Sequence, residues 1–140
     1  MNAPKARNLF DHLGGEEKVR AIVDTFIDRV FADRMIGFLF RDADRRRIKE
    51  FEYQLAAKFL GANVKYQGRP LHLVHSKHPI MGGHFARRRQ ILKETLEEYD
   101  VPAFVQEAWL KHTDSLRPLI TPEADSACDP VAARQRVKGR

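Results

Sequence analysis

The chain has 140 residues, 43% of them hydrophobic and 31% charged, with a formal charge of +6. That length suits one domain with one core, and no run of ~20 apolar residues offers a transmembrane helix. MNAPKARNLF lacks the apolar stretch and small-residue cleavage site of a signal peptide. The one cysteine, Cys128, cannot close an internal disulfide, which fits a reducing cytoplasm. The basic balance suits nucleic-acid binding or, equally, an anionic cofactor.

In chain order, residues 1–7 read as a flexible polar leader. Leu13-Gly14-Gly15 is a break, and Glu16-Glu17 then suits the positive end of a helix dipole. Val19, Ile22, Val23, Phe26, Ile27 and Val30 follow at spacings of three and four, predicting an amphipathic helix ending near Phe31–Asp33. Met35–Phe40 is a short apolar run with a glycine, read as a tight turn. Asp42–Asp44 supplies caps for a second long helix, with Ile48, Phe51, Leu55, Ala56 and Phe59 as its stripe and Gly61 as its stop. Glu52 falls inside that stripe, and Tyr53 is next to it.

Between this helix and the next lies Tyr66–Phe85, YQGRPLHLVHSKHPIMGGHF, which holds four of the six histidines: His72, His75, His78 and His84. Pro70 opens a short helical piece there, and Pro79 ends or bends it. Neutral imidazole is the commonest metal ligand. Donors on a short segment between apolar helices suggest a buried prosthetic group rather than a surface metal site. Two more helices follow, about His84 to Tyr99 and from after Pro102 to about Leu116, where Pro118 and Pro122 stop the second. Their inward faces are Phe85, Ile91, Leu92, Leu96 and Tyr99, then Val105, Ala108, Trp109, His112 and Leu116. Residues 121–140 have no apolar period and read as a disordered basic tail. The fold class is therefore all-α, with two helix pairs crossing to leave a slot between them.

An ordered set of landmarks resembles the truncated haemoglobins, the 2-over-2 branch of the globins, and is closest to group 1. These landmarks are Leu13-Gly14-Gly15, Phe26…Arg29-Val30…Ala32-Asp33, Gly37–Phe40, Leu60-Gly61, Tyr66-x-Gly68-x-Pro70, Val74-His75, His84-Phe85 and Val101-Pro102. From Phe26 to Pro102 the spacings fit the family pattern without a gap. The resemblance covers roughly Leu9–Leu119 and implies a truncated globin domain over residues 8–120. It also implies a b-type haem whose iron is held by His75 on the short helix. Phe40 falls on the aromatic wedge position, and Ile48, Ile80 and Phe85 on apolar haem-lining positions. Lys49 is the leading candidate for a haem propionate, with His72 and Tyr66 behind it. The covalent haem-linking histidine of some members falls on Pro118, so non-covalent haem is expected.

The distal side departs from the family. The usual gas-facing tyrosine is replaced by Ile27, and the usual glutamine by Glu52. A carboxylate donates a hydrogen bond only when protonated, and burial among apolar residues favours that form. Glu52, with Tyr53 as a second candidate, is the expected replacement for the usual pair.

The implied function is reversible binding of a diatomic gas (O2, NO or CO) at haem iron, for storage, NO detoxification or sensing. NO dioxygenase or peroxidase-like activity is a side possibility, and the former would need a separate reductase. The alternative is a haem-free basic helical module that docks nucleic acid or an acidic protein. Against it, the triplets Arg45-Arg46-Arg47 and Arg87-Arg88-Arg89 read as solvated helix faces, and the aromatics lie inside rather than among the cations. His112 reads as a satisfied boundary histidine, Trp109 as core and Cys128 as inert. No membrane partner is expected.

Overall fold

The computed structural model describes residues 8–68 and 81–120. Within them the chain forms α1 (Leu9–Leu13), α2 (Gly15–Ala32), a 3-10 turn (Gly37–Phe40), α3 (Arg45–Phe59), α4 (Gly82–Glu98), α5 (Ala103–Ser115) and α6 (Arg117–Ile120). There is no strand among the described residues.

A short helix, α1, precedes the first long one. The Asn8 side chain accepts a hydrogen bond from Asp11 N at 2.8 Å, capping α1. The same side chain donates to Gly61 O at 2.8 Å, and Phe10 N donates to Leu60 O at 2.9 Å. α1 is thereby docked on the end of α3. The expected break between α1 and α2 is one shared cap: Gly14 has φ 125° and Gly15 φ 77°, the left-handed region that side chains avoid.

α2 is the central element. It buries Val19, Ile22, Val23, Phe26, Ile27 and Val30, the set its spacing predicted. One side of it lies on α3 and another on α4, while α5 covers α4 and touches the far part of α3. The helices thus form two pairs, α2 with α3 and α4 with α5. After α2 the chain turns tightly at Asp33, whose carboxylate accepts from Met35 N at 2.9 Å and Ile36 N at 3.2 Å. Gly37 then sits so close to α2 that a Cβ there would stand 2.5 Å from Phe31 O.

Two boundaries differ from the sequence reading. α4 starts at Gly82, before His84, because the His84 imidazole accepts from Met81 N at 3.1 Å and closes the first turn. Pro118 does not simply end the last helix. α5 stops at Ser115, and Pro118 sits at the second position of the short α6, where a missing N–H costs nothing. The expected leader (1–7) and basic tail (121–140) lie outside the described residues.

Candidate functional site

The site is built on the two faces of α3. Tyr53, Ala56, Ala57 and Leu60 are at most 5% exposed and turn toward the main core. A rotation of about 100° per residue sets Ile48, Phe51, Glu52, Leu55 and Phe59 on a neighbouring face. Every one of these is half-buried. Ile48 and Phe59 touch the edge of the main core, whereas Phe51 and Leu55 belong to no buried cluster among the described residues. On α4 the buried Phe85 packs with Leu39 and Leu116. Leu39 packs against both clusters, and Ile48 and Phe59 tie the half-buried face of α3 to the main core.

Glu52 accepts a hydrogen bond from Arg88 Nη2 at 2.8 Å, and the two side chains are 18% and 17% exposed. Because a guanidinium only donates, the Glu52 oxygen in this contact is an acceptor, not the donor the sequence suggested. The Arg88 guanidinium also lies 4.9 Å over the ring of Phe26, next to Ile27. His112 on α5 stacks on Phe59 at 4.1 Å, with ring planes 13° apart. Burial lowers the pKa of His112, and the nearby Glu52 charge opposes that shift. The Tyr66 phenol is pushed up by burial and by Glu52, and its ring meets Phe51 edge-on at 5.9 Å. Gln54, only 5% exposed, holds this stretch of chain by accepting from Gln67 N at 2.7 Å.

From the expected set, Ile48 and Glu52 share one face of α3, and Tyr66 meets that face through Phe51, a stripe residue outside the expected set; Phe85 is buried on α4, the helix whose Arg88 binds Glu52. Ile27 is buried in the main core at 3% exposure. Phe40 is half-buried and packs on Phe31 at 5.3 Å. Two candidates point elsewhere. Tyr53 belongs to the face turned to α2, beneath the Arg20 guanidinium at 3.9 Å, and burial raises its phenol pKa. The Lys49 ammonium bridges Asp24 at 2.7 Å and Asp28 at 2.8 Å, so its charge is engaged on the outer side of α2. His72, His75 and Ile80 lie outside the described residues.

Sequence reasoning missed Arg88 and set His112 aside. Both carried a signal: Arg88 falls three residues after Phe85 and four before Leu92, on the inward stripe, and His112 falls three after Trp109. The reading of Arg87-Arg88-Arg89 as a solvated face is corrected here. Successive helical residues point about 100° apart, and each arginine meets a carboxylate on a different element. Arg87 binds Asp33 at 2.7 Å, Arg88 binds Glu52, and Arg89 binds Asp114 at 2.7 Å. From the other triplet, Arg45 reaches Asp28 at 3.1 Å while its neighbours stay exposed.

Comparison with known proteins matches residues 8–121 to the model of the bacterial-like globins. A group 1 truncated haemoglobin of Mycolicibacterium paratuberculosis is 29% identical over 96 residues, covering 69% of this chain and 71% of that protein. One from Tetrahymena pyriformis is 28% identical over 109 residues, covering 77% and 88%. The Fe(III) crystal structure of the Tetrahymena pyriformis protein superposes with a TM-score of 0.77 at 23% identity, over 82% of this chain and 98% of that one.

Proposed function

We infer that this chain, which belongs to the bacterial-like globin family and has the truncated 2-over-2 fold, reversibly binds a diatomic gas at the iron of a non-covalent haem b. Haem-based gas binding is the family's general chemistry. The observation that carries the reading to this chain is the half-buried apolar face of α3. Phe51 and Leu55 lie outside both buried clusters, and Phe85 is buried on α4, the helix whose Arg88 binds Glu52. A flat apolar macrocycle suits such a face, so the residues present fit haem.

When bound, haem supplies iron for the gas, and the protein sets access and polarity. His75 is proposed as the iron ligand, since a neutral imidazole can hydrogen-bond through its second nitrogen and hold its ring fixed. Ile48, Phe40, Ile80 and Phe85 would exclude water from the macrocycle. Tyr66 and His72 are candidates for the propionate edge; Lys49 would first have to leave Asp24 and Asp28. Ile27 has no donor, so Glu52 and the arginine bound to it replace the usual polar pair on the gas side. Storage, NO detoxification and sensing all fit, in a cytoplasmic setting. NO detoxification would draw electrons from a separate reductase.

Among the described residues no helix is long and apolar enough to cross a membrane. The pairing of all three arginines of Arg87–Arg89 with carboxylates of this chain leaves less basic surface for nucleic acid than the composition suggested.

Absorption spectra of the ferric and ferrous protein, with and without CO, test the proposal. A Soret band that shifts with CO and is lost in His75→Ala is the expected result. A colourless folded protein that binds DNA with steep salt dependence would establish the alternative module instead.

A further inference from the structure

We propose that Arg88 is a specificity-determining residue of this pocket. It supplies a cationic hydrogen-bond donor that favours ligands carrying negative charge over neutral ones, while Glu52 serves to position it. This rests on the haem reading above and adds a residue to it.

The case begins with how differently three adjacent arginines use their donors. Arg87 gives both Nε and Nη2 to Asp33 Oδ1, at 2.9 and 2.7 Å. Arg89 gives Nε and Nη2 to the two oxygens of Asp114, at 2.7 and 3.1 Å. Both forks are filled from one side, as a guanidinium prefers. Arg88 gives one N–H, from Nη2, to one oxygen of Glu52. Its remaining N–H groups have no acceptor among the described residues. Yet Arg88 is the most buried of the three, at 17% against 34% and 37% side-chain exposure. The guanidinium most removed from water is the one with the most unused donors.

Stability alone accounts poorly for this arrangement. A largely buried ion pair is often neutral or worse than apolar residues of the same volume. The position invites an apolar side chain: Arg88 continues the inward stripe of Phe85 and Leu92, which are 2% and 1% exposed. A fixed, part-buried donor beside an apolar face has a further use, because such a group acts strongly on charge placed nearby. Phe26 under the guanidinium and Glu52 beside it hold the group from two sides. Glu52 contributes acceptors, and the donor missing at Ile27 comes from α4 rather than from α2 or α3.

The test compares wild type, Arg88→Leu and Arg88→Lys, each loaded with haem. Fluoride titration of the ferric form reads a charged ligand. CO binding to the ferrous form reads a neutral one, and the infrared C–O stretch of the CO complex reads the local field. Arg88→Leu is expected to weaken fluoride about tenfold, the scale of one charge-assisted hydrogen bond. CO affinity should stay within about twofold, and the C–O band should move to higher frequency. Arg88→Lys keeps the charge and should recover most of the fluoride affinity, and Arg88→Gln, which removes the charge but stays polar, takes the place of Arg88→Leu if that variant does not fold. Fluoride affinity and C–O band unchanged in the charge-free variant would overturn the proposal while leaving the haem reading intact. A wild type without a Soret band would remove both.

Discussion

The two faces of α3 differ less in composition than in what surrounds them. Tyr53, Ala56, Ala57 and Leu60 share a dry interface in which nothing is more than 5% exposed. Ile48, Phe51, Leu55 and Phe59 are at least as hydrophobic, yet all are half-buried and share their face with a carboxylate. A face that apolar and only partly covered is the one the proposed haem would cover. The contrast predicts unequal costs for equal truncations. Leu60→Ala should cost about 2–5 kcal/mol, the range for emptying a packed core site. Leu55→Ala should cost well under about 1 kcal/mol in the haem-free protein and act mainly on haem retention. Urea unfolding of both variants checks this, and equal losses would mean that the two faces are one core.

Most of the fold was legible because it rests on local period and punctuation. The stripe Val19–Val30, the capping aspartates before α3 and the glycine breaks each belong to one segment of chain. The site was legible in part for the same reason. Glu52 stood out as a charge inside an apolar stripe, but its partner could not be read beside it. Arg88 lies 36 residues away on another helix, and the pairing depends on how α3 and α4 pack. Lys49 shows the converse. The resemblance made it the leading candidate for a haem propionate, and only the packing of α2 brings Asp24 and Asp28 to it. Tyr53 is one residue from Glu52, but one residue is about 100° of helix, enough to move it to the other face.

The ion pair on the binding face offers the next sharpest test. Removing one partner should leave a charge poorly compensated, so Arg88→Leu should cost about 1–3 kcal/mol in the haem-free protein. Replacing both, with Glu52→Leu and Arg88→Leu together, should recover most of that loss. Urea unfolding of the two single variants and the double variant closes the cycle. A strictly additive double variant would show that the contact is incidental.

Asp33 anchors the turn after α2, away from both faces. Its carboxyl is held below its usual range, first by the Arg87 side chain and then by Met35 N and Ile36 N. A carboxylate whose folded pKa is depressed adds stability above its unfolded pKa, and that stability is lost as the pH falls toward the folded value. Asp33→Asn should therefore melt several degrees below wild type at neutral pH. The gap should narrow below about pH 4, where the unfolded carboxyl takes up its proton. A gap that stays constant from neutral to acid pH would show that shape, not charge, makes the anchor.

The smallest effect expected is at the end of α4, and it calibrates the rest. Asp100 is the non-glycine residue with positive φ among those described, at 54°. Its N–H donates to Glu97 O and that of Val101 to Leu96 O, each at 3.1 Å. The second bond spans five residues and seats Val101, 3% exposed, on Leu96, 0% exposed, as a left-handed helix cap requires. Glycine occupies that conformation without a Cβ penalty, so Asp100→Gly should raise stability by up to about 1 kcal/mol. The site is exposed and belongs to neither face of α3. Haem retention and fluoride affinity should therefore stay at wild-type values while the melting temperature rises. If they rose with it, losses in the α3 variants would report general softening of the protein, and the distinction between its two faces would fail.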